Sequence, residues 1–275
     1  MIPVAESMPK NSHSFCIVEE SDCSRSTFIA ETIERAVSDD CAVILASESN
    51  PDSVAELLDR EGLDSSLYLN RGLLTILDRH FVYSMAKARF DANELSNKWF
   101  PLSSKVKKKT GCKGIVAIGP PRVFFETNNL DKWIGYEKHY GRRFEGVPFE
   151  AICCYYSNDF SKLSLNSIIQ ILDYHEYVVY QGGKYLRWHP NNMILAIINS
   201  AIDNALGSGT SSLLLKTLEL IYNIDSDKIV GQPEIFEDKL RKVLGITAQA
   251  ALDRIRIEII NELSYLRNTE RGIDQ

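Results

Sequence analysis

The run Cys23-Ser24-Arg25-Ser26-Thr27 lies between an apolar strand pattern (Phe15, Ile17, Val18) and an amphipathic helical one. A loop at such a place can cradle phosphate. Glycines let backbone N–H groups close on the anion, a lysine reaches its far end, a hydroxyl holds magnesium, and the helix dipole adds to all three. Here Arg25 stands at the lysine place and Ser26 at the hydroxyl place, but Asp22, Cys23 and Ser24 fill the loop without a glycine. Glu19, Glu20 and Asp22 put negative charge where phosphates would lie. The strand pattern KGIVAIGPP ends without the acid that would hold magnesium, and Asp78, which ends LLTILD, comes at the wrong place in chain order. The setting of a nucleotide site is present and its chemistry is missing. The plain alternative is a polar strand-to-helix turn closed by a capping Ser or Asp.

Other chemistries find less support. His13 and Cys16 are three apart, so on one strand they face opposite sides, and the adjacent Cys153 and Cys154 must diverge in the same way. With no CxxC or HxxxH element, no metal site is expected, and the cysteines read as core residues. His175 reads as the residue that closes a helix, beside the negative end of its dipole. No GxSxG elbow accompanies Ser26, Ser47 or the histidines, so no hydrolase triad is assigned. Lys105–Lys109 (KVKKK) reads as a solvated charge run. No catalytic residue and no cofactor is expected.

These residues need elements to hold them. The chain has 275 residues, 44% hydrophobic and 25% charged, with ample material for a core. A net charge of −6 argues against nucleic acid or anionic membrane as partner. Six scattered cysteines and the lack of a signal pattern or apolar span point to reduced thiols and a cytoplasmic home. Residues 1–10 read as a disordered leader. Strand patterns (SFCIVEE, CAVILASE, LLTILD, KGIVAIG, FEAICCYY, EYVVYQGG) then alternate with helical ones up to about residue 185. The alternation predicts an α/β fold, a parallel sheet with helices on both faces. NPDSVAELLDREG carries its own Asn cap, first-turn Pro and terminal Gly. A long helical pattern ahead of Gly111 is expected to break at Pro101.

Beyond residue 188 every pattern is helical, with Gly207 and Gly245 as stops and Pro233 as a start. This predicts a small all-α domain over 190–270. Its nine basic and twelve acidic residues over 189–275 speak against DNA binding.

Two connected resemblances follow. The run from Ser26 through Asp78, with its E-S-x-P turn and GLLTILD strand, resembles the start of the KaiC/RecA-like ATPase core. More specifically, residues 11–185 resemble the MEDS (methanogen/methylotroph sensory) domain, a RecA-type fold without a working phosphate loop. The residues that carry this are NSHSFCIVEE with His13, LYLNRGLLTILD, LDKWIGYEKHYG with Tyr136 and Glu137, AICCYYSNDFS with Cys153 and Tyr155, and His175 after the following helix. The acid expected after the fourth strand falls at Glu126. The resemblance implies a sensor of small organic compounds with regulatory output.

In open parallel sheets, ligands bind beyond the carboxyl ends of the strands. Arg25, Ser26, Glu48, Arg122, Glu126 and Tyr155 fall in segments expected there and are the candidate ligand-binding residues. The expectation is a non-enzymatic sensor of a small organic ligand. Region 190–270 would face a second copy or a regulatory protein. The alternatives are a residual ATP-binding protein or ATPase, and a scaffold without ligand.

Overall fold

The structure is a computed structural model that describes residues 4–5, 12–18, 22–78, 80, 92–127, 129–140, 149–180, 183–187 and 190–268. Its strands are β1 (Val4–Ala5), β2 (His13–Val18), β3 (Cys41–Ser47), β4 (Leu74–Asp78), β5 (Gly114–Gly119), β6 (Phe149–Tyr156), β7 (Tyr177–Tyr180) and β8 (Lys184–Arg187). They form one sheet in the order β1-β8-β7-β2-β6-β5-β3-β4. From β7 to β4 all neighbours are parallel, while β8 and β1 join antiparallel at one edge.

The middle strands are apolar at almost every position because both faces are covered. Every residue of β2 is buried, as are all of β3 after Cys41. Alternation divides each strand between the faces. Cys16, Val18, Val43, Leu45, Val116, Ile118, Ile152, Cys154 and Tyr156 pack in one core with Phe28, Ile33 and Ala36 of α1 (Asp22–Ser38). Val54 and Leu58 of α2 (Pro51–Arg60) join that core. Asn50 caps α2 by accepting from Asp52 N–H at 2.9 Å, with Pro51 in the first turn, as the sequence predicts. A further helix, α3 (Ser65–Arg71), leads into β4.

The opposite face is covered by α4 (Ala92–Thr110), which turns Leu95, Trp99, Ser103 and Val106 inward, by α5 (Arg122–Glu126) and by α6 (Leu130–Glu137). Trp99 meets Phe149 edge to face, with ring centres 5.8 Å apart.

Several expectations are corrected. α4 runs through Pro101 without a break. The buried stripe on either side of the proline holds the helix together despite the lost N–H. Part of the expected leader pairs with the sheet, Val4 opposite Leu186 and Ala5 opposite Tyr185. The other leader residues, the expected helical stretch 81–90 and the acidic turn residues Glu19 and Glu20 lie outside the described residues. A strand after Gly183 was not expected, yet β8 folds back on β7. Gly183 takes φ +63°, and a Cβ there would lie 3.1 Å from the Thr32 backbone, so any other residue would be both strained and crowded.

The chain divides into two compact units. One comprises residues 1–157 and 175–188, the other residues 158–174 and 189–275. The second is helical: α7 (Ser157–Phe160), α8 (Leu165–Asp173), α9 (Pro190–Leu206), α10 (Thr210–Tyr222), α11 (Ser226–Gly231), α12 (Pro233–Leu244) and α13 (Ala248–Asn268). Pro233, Gly207 and Gly245 stand at the ends where the sequence puts them. The division differs from the sequence boundary at 185–190, because α8 belongs with the C-terminal helices. It buries Leu165, Ile168, Ile169, Ile171 and Leu172 and packs on α9, α12 and α13. Among the described residues, no helix is long and apolar enough to cross a membrane.

Candidate functional site

Two polar sites occupy the α/β unit, one on each face of the sheet. The first lies at the carboxyl ends of β2, β3, β5 and β6, between α1 and α2. Its lining includes Val18, Arg25, Ser26, Ser47, Glu48 and Tyr156 around a void of about 40 Å³. That is room for a few water molecules.

Its polar groups are engaged with one another. Arg25 Nη1 donates to Tyr156 Oη at 2.7 Å, Tyr156 Oη donates to Glu48 Oε2 at 2.6 Å, and Arg25 and Glu48 pair at 3.5 Å. The Arg122 guanidinium lies over the Tyr156 ring, 4.7 Å from its centre. Burial, reinforced by the Glu48 carboxylate, pushes the Tyr156 phenol upward in pKa. Ser26 and Thr27 donate to the two carboxylate oxygens of Glu61, at 2.8 and 2.6 Å. The bond from Thr27, then that from Ser26, holds the Glu61 carboxyl below its usual range. The helix already begins at Asp22, so residues 22–24, which would form the arch of a phosphate loop, are its first turn.

Of the sequence candidates, Arg25, Ser26 and Glu48 line this cleft. Arg122 reaches its edge through Tyr156, and Glu126, expected in a loop, sits one helical turn from Arg122 in α5 and pairs with it at 3.6 Å. Tyr155, expected in a loop of the carboxyl edge, lies inside β6 and faces the other side of the sheet. Alternation puts its neighbour Tyr156 on the cleft side, a residue that period-two counting from Cys154 identifies.

The second site is buried. His13 begins β2, Cys153 lies within β6, Glu137 ends α6, and His175 stands in the turn between α8 and β7. Their exposures are 4%, 7%, 1% and 2%. One donor atom from each lies within 4.8 Å of all the others. Cys153 Sγ is 3.4 Å from His13 Nε2, His13 Nε2 is 3.8 Å from Glu137 Oε1, and His175 Nε2 is 3.5 Å from Glu137 Oε2. The sheet register makes this possible: Phe15 is opposite Cys153, which leaves His13 diagonal to it on the same face. The Glu176 N–H bond to the His13 carbonyl, 2.8 Å, brings His175 alongside.

Aromatic rings wall the cluster. His13 stacks on Tyr140 at 4.1 Å and lies 3.9 Å from the His175 ring. Tyr136 leans on Trp133, with centres 5.3 Å apart. Trp133 Nε1 donates to Tyr155 Oη at 3.0 Å, and Tyr155 Oη donates to Glu137 Oε2 at 2.9 Å. Burial drives the Glu137 carboxyl up to about 8, offset in part by hydrogen bonding from Cys153 and Tyr155. Burial, then the Glu137 charge, drives the Cys153 thiol up as well. Thus His13, Tyr136, Glu137, Cys153 and His175, the residues that carried the resemblance, meet at one place with Tyr155. Trp133 and Tyr140, which support them, gave no polar signal in the sequence.

A family model described as MEDS, the methanogen/methylotroph, DcmR sensory domain, matches residues 13–176, more than half of the chain. No curated protein matches. Among solved structures, the uncharacterized protein PH0321 from Pyrococcus horikoshii, crystallised in complex with an unknown peptide, is 14% identical. That match covers 66% of this chain and 84% of that one, with a TM-score of 0.46. The KaiC-like protein PH0186 from the hyperthermophilic archaeon Pyrococcus horikoshii OT3 is also 14% identical, over 64% of this chain and 74% of that one, with a TM-score of 0.43.

Proposed function

Because the chain belongs to the MEDS family, we propose that it is a non-enzymatic sensor that takes a small, uncharged or weakly polar organic molecule into the cleft at the carboxyl edge of its sheet. One observation carries the reading. Arg25 and Ser26 stand where a nucleotide loop would use them on phosphate and magnesium, and both are committed to internal acids: Arg25 to Glu48 through Tyr156, Ser26 to Glu61. An entering triphosphate would have to displace both and then meet those carboxylates, whereas a neutral molecule meets mostly apolar walls.

The void of about 40 Å³ is too small for an organic ligand, so binding selects a more open arrangement of the cleft. Parting of the Arg25–Tyr156–Glu48 chain is the event the ligand drives, and the helical region 190–270 passes it to a second copy or a regulatory protein. The buried thiols suit a reducing, cytoplasmic setting.

Thermal melting of the full chain tests the reading, with Mg·ATP in one arm and a panel of neutral alcohols, ketones and amides in the other. Native mass spectrometry accompanies it, to detect any retained molecule. A ligand at about a hundred times its Kd adds roughly 2.7 kcal/mol of stability. The expected result is a shift with members of the neutral panel and none with Mg·ATP. Magnesium-dependent ATP binding that is lost in Arg25→Ala would instead establish a nucleotide site.

A further inference from the structure

We propose that His13, Glu137, Cys153 and His175 form a binding site for one divalent transition-metal ion of the zinc class. The site is on the face of the sheet opposite the cleft, and the inference does not rest on the cleft's reading.

The donor types and spacing carry it. Zinc binds thiolate sulfur at about 2.3 Å and imidazole nitrogen or carboxylate oxygen at about 2.0–2.2 Å, so the edges of its tetrahedron are roughly 3.3–3.7 Å. The S–N separation of 3.4 Å and the N–O separations of 3.5 and 3.8 Å, the last two to different oxygens of Glu137, lie within about 0.3 Å of such edges, and one donor atom from each residue lies within 4.8 Å of all the others. The fourth-ligand requirement is met without water, which makes this a closed site rather than one with an open catalytic position. Two imidazoles, a thiolate and a carboxylate form the mixed set that suits zinc, with cobalt(II) as its spectroscopic stand-in.

Charge gives the second argument. A thiol and a carboxyl are buried together beside two imidazoles, and among the described residues no lysine or arginine pairs with Glu137. Among the described residues no N–H or O–H donor reaches Glu137 Oε1, and the Cys153 thiol beside it is a weak donor. Without a cation the group must stay neutral, since burying bare charge is costly. A divalent ion with one thiolate and one carboxylate is neutral as a whole. The protons leave Cys153 and Glu137 for solvent as the ion enters.

The surrounding groups match this role. Tyr155 fixes Glu137 by its hydrogen bond and is itself fixed by Trp133, an outer layer of the kind that orients metal ligands. A void of about 30 Å³ lies against His13, Cys153, Tyr136 and Tyr140. Two imidazoles on one tetrahedral ion hold their ring centres about 5 Å apart, a distance set by the bond lengths above. The 3.9 Å contact between His13 and His175 therefore widens on loading.

The test uses the full chain, purified without chelator, then stripped and refolded with one equivalent of zinc or cobalt(II). The expected results are one ion per chain and, with cobalt, tetrahedral ligand-field bands plus near-ultraviolet thiolate charge transfer. X-ray absorption of the zinc-loaded wild type reads the coordination shell directly, with one sulfur and three nitrogen or oxygen neighbours expected. Cys153→Ser removes the charge-transfer band, while Cys16→Ser, on the other face of the sheet, keeps it. Tyr155→Phe weakens zinc binding about 10- to 100-fold. A shell without sulfur or with two sulfurs, no stoichiometric ion in the refolded wild type, or a charge-transfer band that survives Cys153→Ser would overturn the proposal. The absorption measurement on wild type decides the matter even if a variant fails to fold.

Discussion

At the residue scale, the two-residue period of a strand sorts the chemistry. His13 and Cys16 cannot act together, nor can Cys153 and Cys154. Instead His13 meets Cys153 on one face, at 3.4 Å, and Cys16 meets Cys154 on the other, at 3.1 Å. The divergence was legible in the sequence, but the re-pairing across strands needed the register. Glu150 belongs to the same lesson. It is buried beside β2 and accepts from Ser14 Oγ at 3.1 Å. Burial raises its carboxyl from 4.5 to about 8, against the opposing influence of the nearby Tyr185, Ser14 and Ser12 hydroxyls. The folded state therefore favours protonated Glu150. Its contribution is complete below the ordinary pKa of 4.5 and is lost as pH rises through about 8. Between these limits the loss is up to about 1.4 kcal/mol per pH unit. Glu150→Gln keeps the shape and cannot ionise. Urea midpoints at several pH values should show the variant gaining on wild type as pH rises through this window, and a constant gap would refute the assignment.

At the element scale, caps and stops are local and were readable: Asn50 before α2, Gly207 after α9, Pro233 at the head of α12. Where burial competes with propensity, the sequence misleads. Pro101 is a helix breaker by its chemistry, yet α4 passes through it because Leu95, Trp99, Ser103 and Val106 hold one face against the sheet. The lost backbone bond remains a cost. Pro101→Ala is expected to stabilise the protein by about 1–3 kcal/mol, read as a higher denaturant midpoint with unchanged m-value. The hairpin from β7 to β8 is the opposite case, with strand pairing conditional on one residue. Gly183→Ala demands a left-handed backbone from alanine and pushes a methyl group against Thr32. It is expected to cost more than about 1 kcal/mol. A melting temperature equal to that of wild type would show that the turn relaxes without penalty.

At the scale of the whole molecule, the chain's division into units sets what can be cut. A boundary near residue 188 looks natural in the sequence, yet α8 buries its apolar side among the C-terminal helices. A 1–188 fragment would leave Leu165, Ile168, Ile169, Ile171 and Leu172 without those partners, and each such side chain is worth about 1.5–3 kcal/mol of burial. The fragment is expected to bind a hydrophobic dye and aggregate, whereas the full chain does neither. A monomeric, cooperatively melting fragment without dye binding would contradict that division. The sequence by itself determined the α/β alternation, the helical end, the lack of a glycine at residues 22–24 and the likeness to the family. All of these are set by side-chain type and short-range periodicity. Only the tertiary structure decided that His13, Glu137, Cys153 and His175 share one buried point, that Tyr156 rather than Tyr155 faces the cleft, and that α8 leaves its neighbours in sequence. Strand order and register bring distant segments together, and those depend on the packing of the whole sheet rather than on any pattern within one segment.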